Sequence, residues 1–162
     1  MGTALSGHAL APAAGETLWF FGTLLTVKAS AEQTGGQFAL VEQATPRGVV
    51  TTLHAQPEDD ESFYVLEGEL TFFLADNPPF RAAAGAFVHI PKGVAHAFRV
   101  DSETARYLDL TTAQHERFMR AAGEPAQARV MPPPGPPDME KVMAAAQQYG
   151  VEILGPPPGA NG

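Results

Sequence analysis

A chain of 162 residues with 44% hydrophobic and 17% charged residues is the size of one packed domain and too apolar for a disordered one. Its net charge of -8, with ten Lys and Arg in all, argues against nucleic acid and anionic membrane surfaces. The absence of cysteine removes a disulfide framework, a thiolate metal site and a cysteine nucleophile. The longest largely apolar run, Thr17 to Val27, falls far short of the roughly 20 residues of a membrane helix. No Lys or Arg precedes Lys28 to make the basic region of a secretory signal. A soluble, cytoplasmic protein whose partner is a small molecule is expected.

Residues 1–15 are rich in Ala, Gly and Ser without a period, and are expected to form a flexible arm, with His8 solvated, that docks along a neighbouring subunit. Leu18-Trp19-Phe20 and Leu24 to Val27, separated by Gly22, predict one bent strand or two strands around a bulge. Left unpaired, this segment is an exposed edge, so a homodimer that exchanges or pairs it across the interface is expected. Gln37 to Ala44 reads as a strand covered on both sides. In Val49 to Gln56 a period of two sets Val50, Thr52, His54 and Gln56 on one face. After the acidic turn Pro57 to Asp60, expected to be solvated, the chain returns with Glu61, Phe63 and Val65 on one face.

Gly68 turns the chain into Glu69 to Leu74, and Asp76 to Pro79 makes the next turn. Ala86 to Ile90 is a buried strand, and Pro91-Lys92-Gly93 leads to a successor with Val94, His96, Phe98 and Val100 on one face. Thr104 to Leu110 closes the series, with Tyr107 and Asp109 read as surface residues opposite Leu108 and Leu110. A strand and a short turn about every ten residues is the pattern of an antiparallel sandwich or barrel. After Thr112, a plausible N-cap, the period becomes helical, with His115, Phe118, Met119 and Ala122 in a stripe. A proline-rich linker precedes a second helix that starts at Asp138, shows Met139, Val142, Met143, Ala146 and Tyr149 on one face and ends at Gly150. The division expected is an arm to 15, a β-domain over 16–112 and a helical, proline-rich extension over 113–162.

His54, Glu61 and His96 make a two-His, one-carboxylate set, which suits a divalent first-row metal with open positions. Without a metal, two imidazoles and a carboxylate would have to satisfy one another in an apolar interior, which is costly. Gln56 either ligates through its amide oxygen, tilting preference towards manganese and iron, or donates a hydrogen bond to a metal-bound water or to substrate. The inner faces, reading Val50, Thr52, Phe63, Val65, Phe98 and Val100, predict a pocket for an aromatic or apolar ligand. His89 and His115 are read as structural.

The spacings G-x5-H-x-Q-x4-E-x6-G from Gly48 to Gly68, and G-x5-P-x-G-x2-H from Gly85 to His96, resemble the two motifs of the cupins. This chain has Gln56 where the family has a second His, and Val100 where it usually has Asn. The Leu-Trp-Phe strand, the Phe63 to Gly68 run, Val94 to Val100 and the proline-separated helix followed by Glu152-Ile153-Leu154-Gly155 are similar to the single-domain bacterial quercetin 2,3-dioxygenase-like cupins. The resemblance implies an all-β, antiparallel double-sheet jelly-roll barrel, here with two C-terminal helices. It also implies a divalent transition metal (iron, manganese or nickel, with zinc accommodated) on His54, Glu61 and His96, and opening of a flavonol ring by dioxygen with Glu61 as ligand and base. An isomerase or a non-catalytic ligand-binding protein on the same barrel are the alternatives.

Overall fold

The computed structural model describes residues 5–159. In chain order the strands are β1 (Glu16–Phe20), β2 (Thr23–Ala29), β3 (Ala39–Pro46), β4 (Leu53–Ala55), β5 (Glu61–Glu67), β6 (Glu69–Leu74), β7 (Phe80–Ala83), β8 (Phe87–Ile90), β9 (His96–Val100) and β10 (Thr104–Thr111). Helix α1 (Ala113–Ala122), β11 (Glu124–Pro125), helix α2 (Met139–Tyr149) and β12 (Glu152–Gly155) follow. One sheet runs β11-β1-β2-β3-β10-β5-β8 and the other β12-β4-β9-β6-β7, and all the pairings are antiparallel. Neither sheet closes on the other, so the fold is a jelly-roll sandwich and not the closed barrel expected. Side chains between the layers and the two helices seal the seam where a barrel would have ladder hydrogen bonds.

The segment Thr17 to Val27 is a hairpin and not a bent strand. Phe21 and Gly22 both take positive φ, 49° and 77°, the two-residue turn whose twist matches the strands on either side. β1 is paired on its far side as well, Leu18 with Pro125 and Trp19 with Glu124, so the edge that motivated strand exchange is covered within the chain. The stretch before it lies on its own chain: His8 meets the Lys28 carbonyl at 2.7 Å, and Arg129 donates to the carbonyls of Ala13 and Gly15. No helix among the described residues is long and apolar enough to cross a membrane.

The β10 faces are the reverse of those expected. Asp109 pairs with Phe63 across β5, and directly opposed residues share a face. Asp109 and Tyr107 therefore point inward with 0% exposure, while Leu110 is 45% exposed. The core has two parts. Phe63, Phe72, Phe98 and Tyr107 interlock at one end, with ring centroids 5.2 to 5.9 Å apart. At the other end Phe118 and Met119 of α1 and Ala145 and Ala146 of α2 pack on Leu25 and Val41.

Thr112 caps α1 by accepting from the His115 N–H, and Asp138 caps α2 by accepting from that of Lys141. The buried stripe of α2 is Val142, Ala145 and Ala146; Met139 and Met143, expected on the packed face, are exposed. After Gly150, in the left-handed conformation, the chain re-enters the second sheet as β12 and sets Ile153 opposite His54.

Gly68 joins β5 to β6 at φ 80°, and a β-carbon there would come within 2.5 Å of Ser102 Oγ and 2.9 Å of the Ala105 α-carbon. Gly68→Ala is expected to lower stability by about 2 kcal/mol or more in denaturant unfolding, through backbone strain and overlap together.

Candidate metal centre

The cluster is assembled across the sandwich. His54 on β4 and His96 on β9 are directly opposed in one sheet, with ring centroids 4.2 Å apart. Glu61 enters from the first residue of β5 in the other sheet. One ligand atom from each of the three lies within 4.8 Å of the others. Each imidazole is oriented by its own backbone: Nδ1–H of His54 donates to the Thr52 carbonyl and Nδ1–H of His96 to that of Val94, both at 2.8 Å. This fixes the tautomer and leaves each Nε2 with a lone pair. His96 Nε2 stands 3.3 Å from Glu61 Oε2. A neutral imidazole and an ionised carboxylate both present lone pairs there, so a proton or a metal cation must stand between these two atoms. The set of donors therefore fits a divalent metal held by His54, Glu61 and His96.

The electrostatics agree with ligation. Burial and the neighbouring His96 push His54 down to about 4, so its ring is neutral at pH 7. Burial by itself raises Glu61, but the imidazoles of His115 and His96 beside it outweigh that and hold the carboxyl well below the usual range. Asp109 is the converse: burial and the Glu61 charge push it far up. Its Oδ1 is buried without a donor because its neighbour is another carboxyl group. One proton resolves the pair, kept by Asp109 and shared towards an ionised Glu61.

A polar ladder leads to that pair through the apolar core. Thr23 Oγ1 meets Thr45 Oγ1 at 3.0 Å, and Thr45 Oγ1 meets the Tyr107 hydroxyl at 2.9 Å. Tyr107, its titration pushed up by burial, donates to Gln43 Oε1 at 3.1 Å, and Gln43 Nε2 donates to Asp109 Oδ2 at 2.8 Å.

Helix α1 brings His115, read as structural, to the centre: its Nε2 lies 3.3 Å from Glu61 Oε1. Gln56, 1% exposed, turns its amide nitrogen to the edge of the His115 ring, 2.9 Å from Nδ1 and 2.8 Å from Nε2, while its Oε1 is buried without a partner. Asp59 is not the solvated turn residue expected. It is 2% exposed and accepts from Thr112 Oγ1 at 2.5 Å and from Gln114 Nε2 at 3.3 Å at the start of α1. The signal for His115 lay in its place on the packed face of a capped helix; which sheet face that helix covers was not written in its period. Asp109 was visible as a charged residue in the β10 alternation, but the phase was misjudged.

A cavity of about 70 Å³ opens beside the cluster. Thr52 and Phe98 line it as predicted, with His54, Glu61 and His96. Phe63, Val65 and Val100 do not; they are closed into the core beyond Phe98. Val50 yields to Val49 and Thr51, because residues 49–52 hold a single isolated bridge, Val50 to Arg99, and the period of two does not run through them. Most of the rest of the wall, including Phe20, Phe21, Phe118, Val142, Val151 and Ile153, comes from the N-terminal hairpin and the C-terminal elements, and Gln43 of β3 joins it.

Residues 40–111 match the sequence family described as "Cupin domain". Over 107 residues the chain is 30% identical to the quercetin 2,3-dioxygenase of Bacillus subtilis (strain 168), a match covering 65% of this chain and 32% of that protein. The chain thus spans about a third of the length of that curated relative. Among solved structures it is similar to the polyketide cyclase RemF from Streptomyces resistomycificus, with a TM-score of 0.58 at 19% identity over 67% of this chain and 80% of the other. It is also similar to KdgF from Halomonas sp., with a TM-score of 0.51 at 21% identity over 57% and 79%. At these identities the structural likeness speaks for the fold alone.

His96→Ala removes one of three converging donors and is expected to lower manganese(II) or iron(II) affinity by more than the roughly 10- to 100-fold typical of an outer contact, measured by calorimetric titration. The metal-free protein is expected to lose stability as pH falls from 6.5 through about 4. His54 is depressed on folding, so its contribution is complete above the unfolded value, where both states hold it neutral, and disappears once the folded ring must also be charged. The loss is at most about 3 kcal/mol, and His54→Phe should flatten that part of the profile in thermal unfolding.

Proposed function

We propose that this chain, whose residues 40–111 match the cupin domain family, is a metal-dependent enzyme that uses dioxygen to oxidise a small aromatic or enolic compound. One observation carries the reading: an ionised, buried carboxylate, Glu61, stands at the wall of an apolar cavity beside two imidazoles whose lone pairs face it. The identity to a quercetin 2,3-dioxygenase supports the same chemistry. His54, Glu61 and His96 would hold the metal, which would supply a Lewis acid that favours an oxyanion next to it and a site for dioxygen.

The protein's own part is to bind, orient and move a proton. Phe20, Phe21, Phe98 and Phe118 receive the apolar body of the substrate and keep water from it. Glu61 takes the proton of an acidic enol or phenol hydroxyl: the O–H bond breaks, the proton passes to the carboxylate, and the electron pair stays on the substrate oxygen. Asp109, already protonated, does not compete for it. Both atoms of dioxygen then enter the product, so no external reductant is consumed. The cavity, about 70 Å³, has room for a few waters, each occupying about 30 Å³ of liquid. A compact enol therefore suits it better than a three-ring flavonol.

Iron-, manganese- and nickel-loaded protein should take up oxygen with an enol or a flavonol, and not with the same ring system lacking the acidic hydroxyl. Glu61→Gln should lose this uptake by about 100-fold or more, the scale of general base catalysis, while losing less of its metal. Oxygen-electrode assays and metal analysis of the same preparations decide it. Absence of uptake with every metal favours a ligand-binding or isomerase role, and equal uptake from both compounds removes Glu61 as the base.

A further inference from the structure

We propose that Gln56 and His115 are a positioning pair through which helix α1 sets the orientation of the Glu61 carboxylate. The inference rests on the reading of His54, Glu61 and His96 as a metal centre and concerns how that centre is held. Glu61 divides its oxygens, Oε2 facing His96 and Oε1 facing His115, each at 3.3 Å. Nε2 of His115 must carry a proton to be compatible with a carboxylate oxygen. Its Nδ1 is then an acceptor, and the Gln56 amide, 2.9 Å away, is the donor that meets it. In the proposed relay the Gln56 amide, which lies 2.9 Å from Nδ1 and 2.8 Å from Nε2, donates to Nδ1, and the His115 Nε2–H faces Glu61 Oε1.

All three members are at most 4% exposed, so water does not replace a lost bond. Both ends of the relay are pinned. The His115 ring stacks on Phe118 at 5.4 Å with 24° between planes, and its backbone N–H is held by the Thr112 cap. Between Gln56 and Glu61, Asp59 accepts from Thr112 and Gln114 and ties that turn to the start of α1. With Oε1 engaged by the helix, Oε2 is the oxygen presented to a metal. The residue that stands two places after His54, where the resemblance leads one to expect a third imidazole, thus serves the centre from behind the carboxylate.

Cobalt(II) titration of the full-length chain and its variants tests this. His115→Phe keeps the stacking and is expected to weaken cobalt(II) by about 10- to 100-fold, the typical cost of losing an outer-shell partner, with ligand-field bands that show an unchanged ligand set. His115→Gln, whose amide N–H can reach Glu61, should recover most of that affinity. Gln56→Leu should cost less, and nothing further when combined with His115→Phe. Unchanged affinity in His115→Phe, additive penalties, or a changed ligand set in Gln56→Leu would each overturn the pair. Thermal unfolding of the metal-free variants checks the fold. If His115→Phe does not fold, the comparison of Gln56→Leu with and without His115→Gln carries the additivity test.

Nitrogen NMR of the metal-free wild type reads the tautomer directly. Protonated Nε2 with bare Nδ1 on His115 is expected, and the reverse overturns the proposal. A wild type that binds no cobalt(II) overturns the metal-centre reading, and the tautomer then still decides the hydrogen-bonded pair.

Discussion

Everything at the centre of this molecule follows from one electrostatic constraint: a carboxylate is buried between two sheets and kept ionised. Desolvation opposes that charge, His115 and His96 offset it, and Asp109 beside it is kept protonated. These partners come from β9, α1 and β10, so the sandwich can reach its native packing only with the helix docked and the strands in register. The site is thus a structural keystone as well as a candidate reaction centre. Removing one neighbour leaves a buried charge without compensation, which costs more than the lost contact.

The two layers contribute differently. The sheet that carries His54 and His96 provides donors whose tautomers are set by carbonyls two residues earlier in the same chain. That orientation is local, and it is available as soon as the strand is extended. Glu61, in contrast, is oriented by side chains distant in sequence. A pair of imidazoles set by local backbone thus meets a carboxylate set by long-range contacts, a division of labour that suits the proposed double role of holding a cation and exchanging a proton.

Much of this was legible in the chain. Period two in Val49 to Gln56, in Glu61 to Leu66 and in Val94 to Val100, with the glycine and proline punctuation, placed the three donors on inward faces, and the structure brings them together. The errors share a cause. Val50 was misplaced because residues 49–52 pair with β9 through one isolated bridge and not a continuous strand, and alternation holds only where a ladder enforces it. Phe63, Val65 and Val100 do face inward, but periodicity gives the face and not the depth along a strand, and these sit below the cavity floor. Asp109 and Tyr107 were assigned outward since a charged residue is usually solvated; a second carboxyl group as partner has no one-dimensional signature. His115 and the C-terminal wall depend on where helices dock, which helical period alone does not record.

The ladder from Thr23 through Thr45, Tyr107 and Gln43 to Asp109 draws on three neighbouring strands of one sheet, β2, β3 and β10, and ends on Glu61 of the fourth, β5. An apolar strand that slips by two residues still shows greasy side chains to the interior, and the error is cheap. Here the same slip would carry a hydroxyl, an amide or a carboxyl away from its counterparts in a dry layer. The ladder therefore acts as an indexing mark cut across four strands, and it rejects misaligned sheets during folding before any ligand is bound.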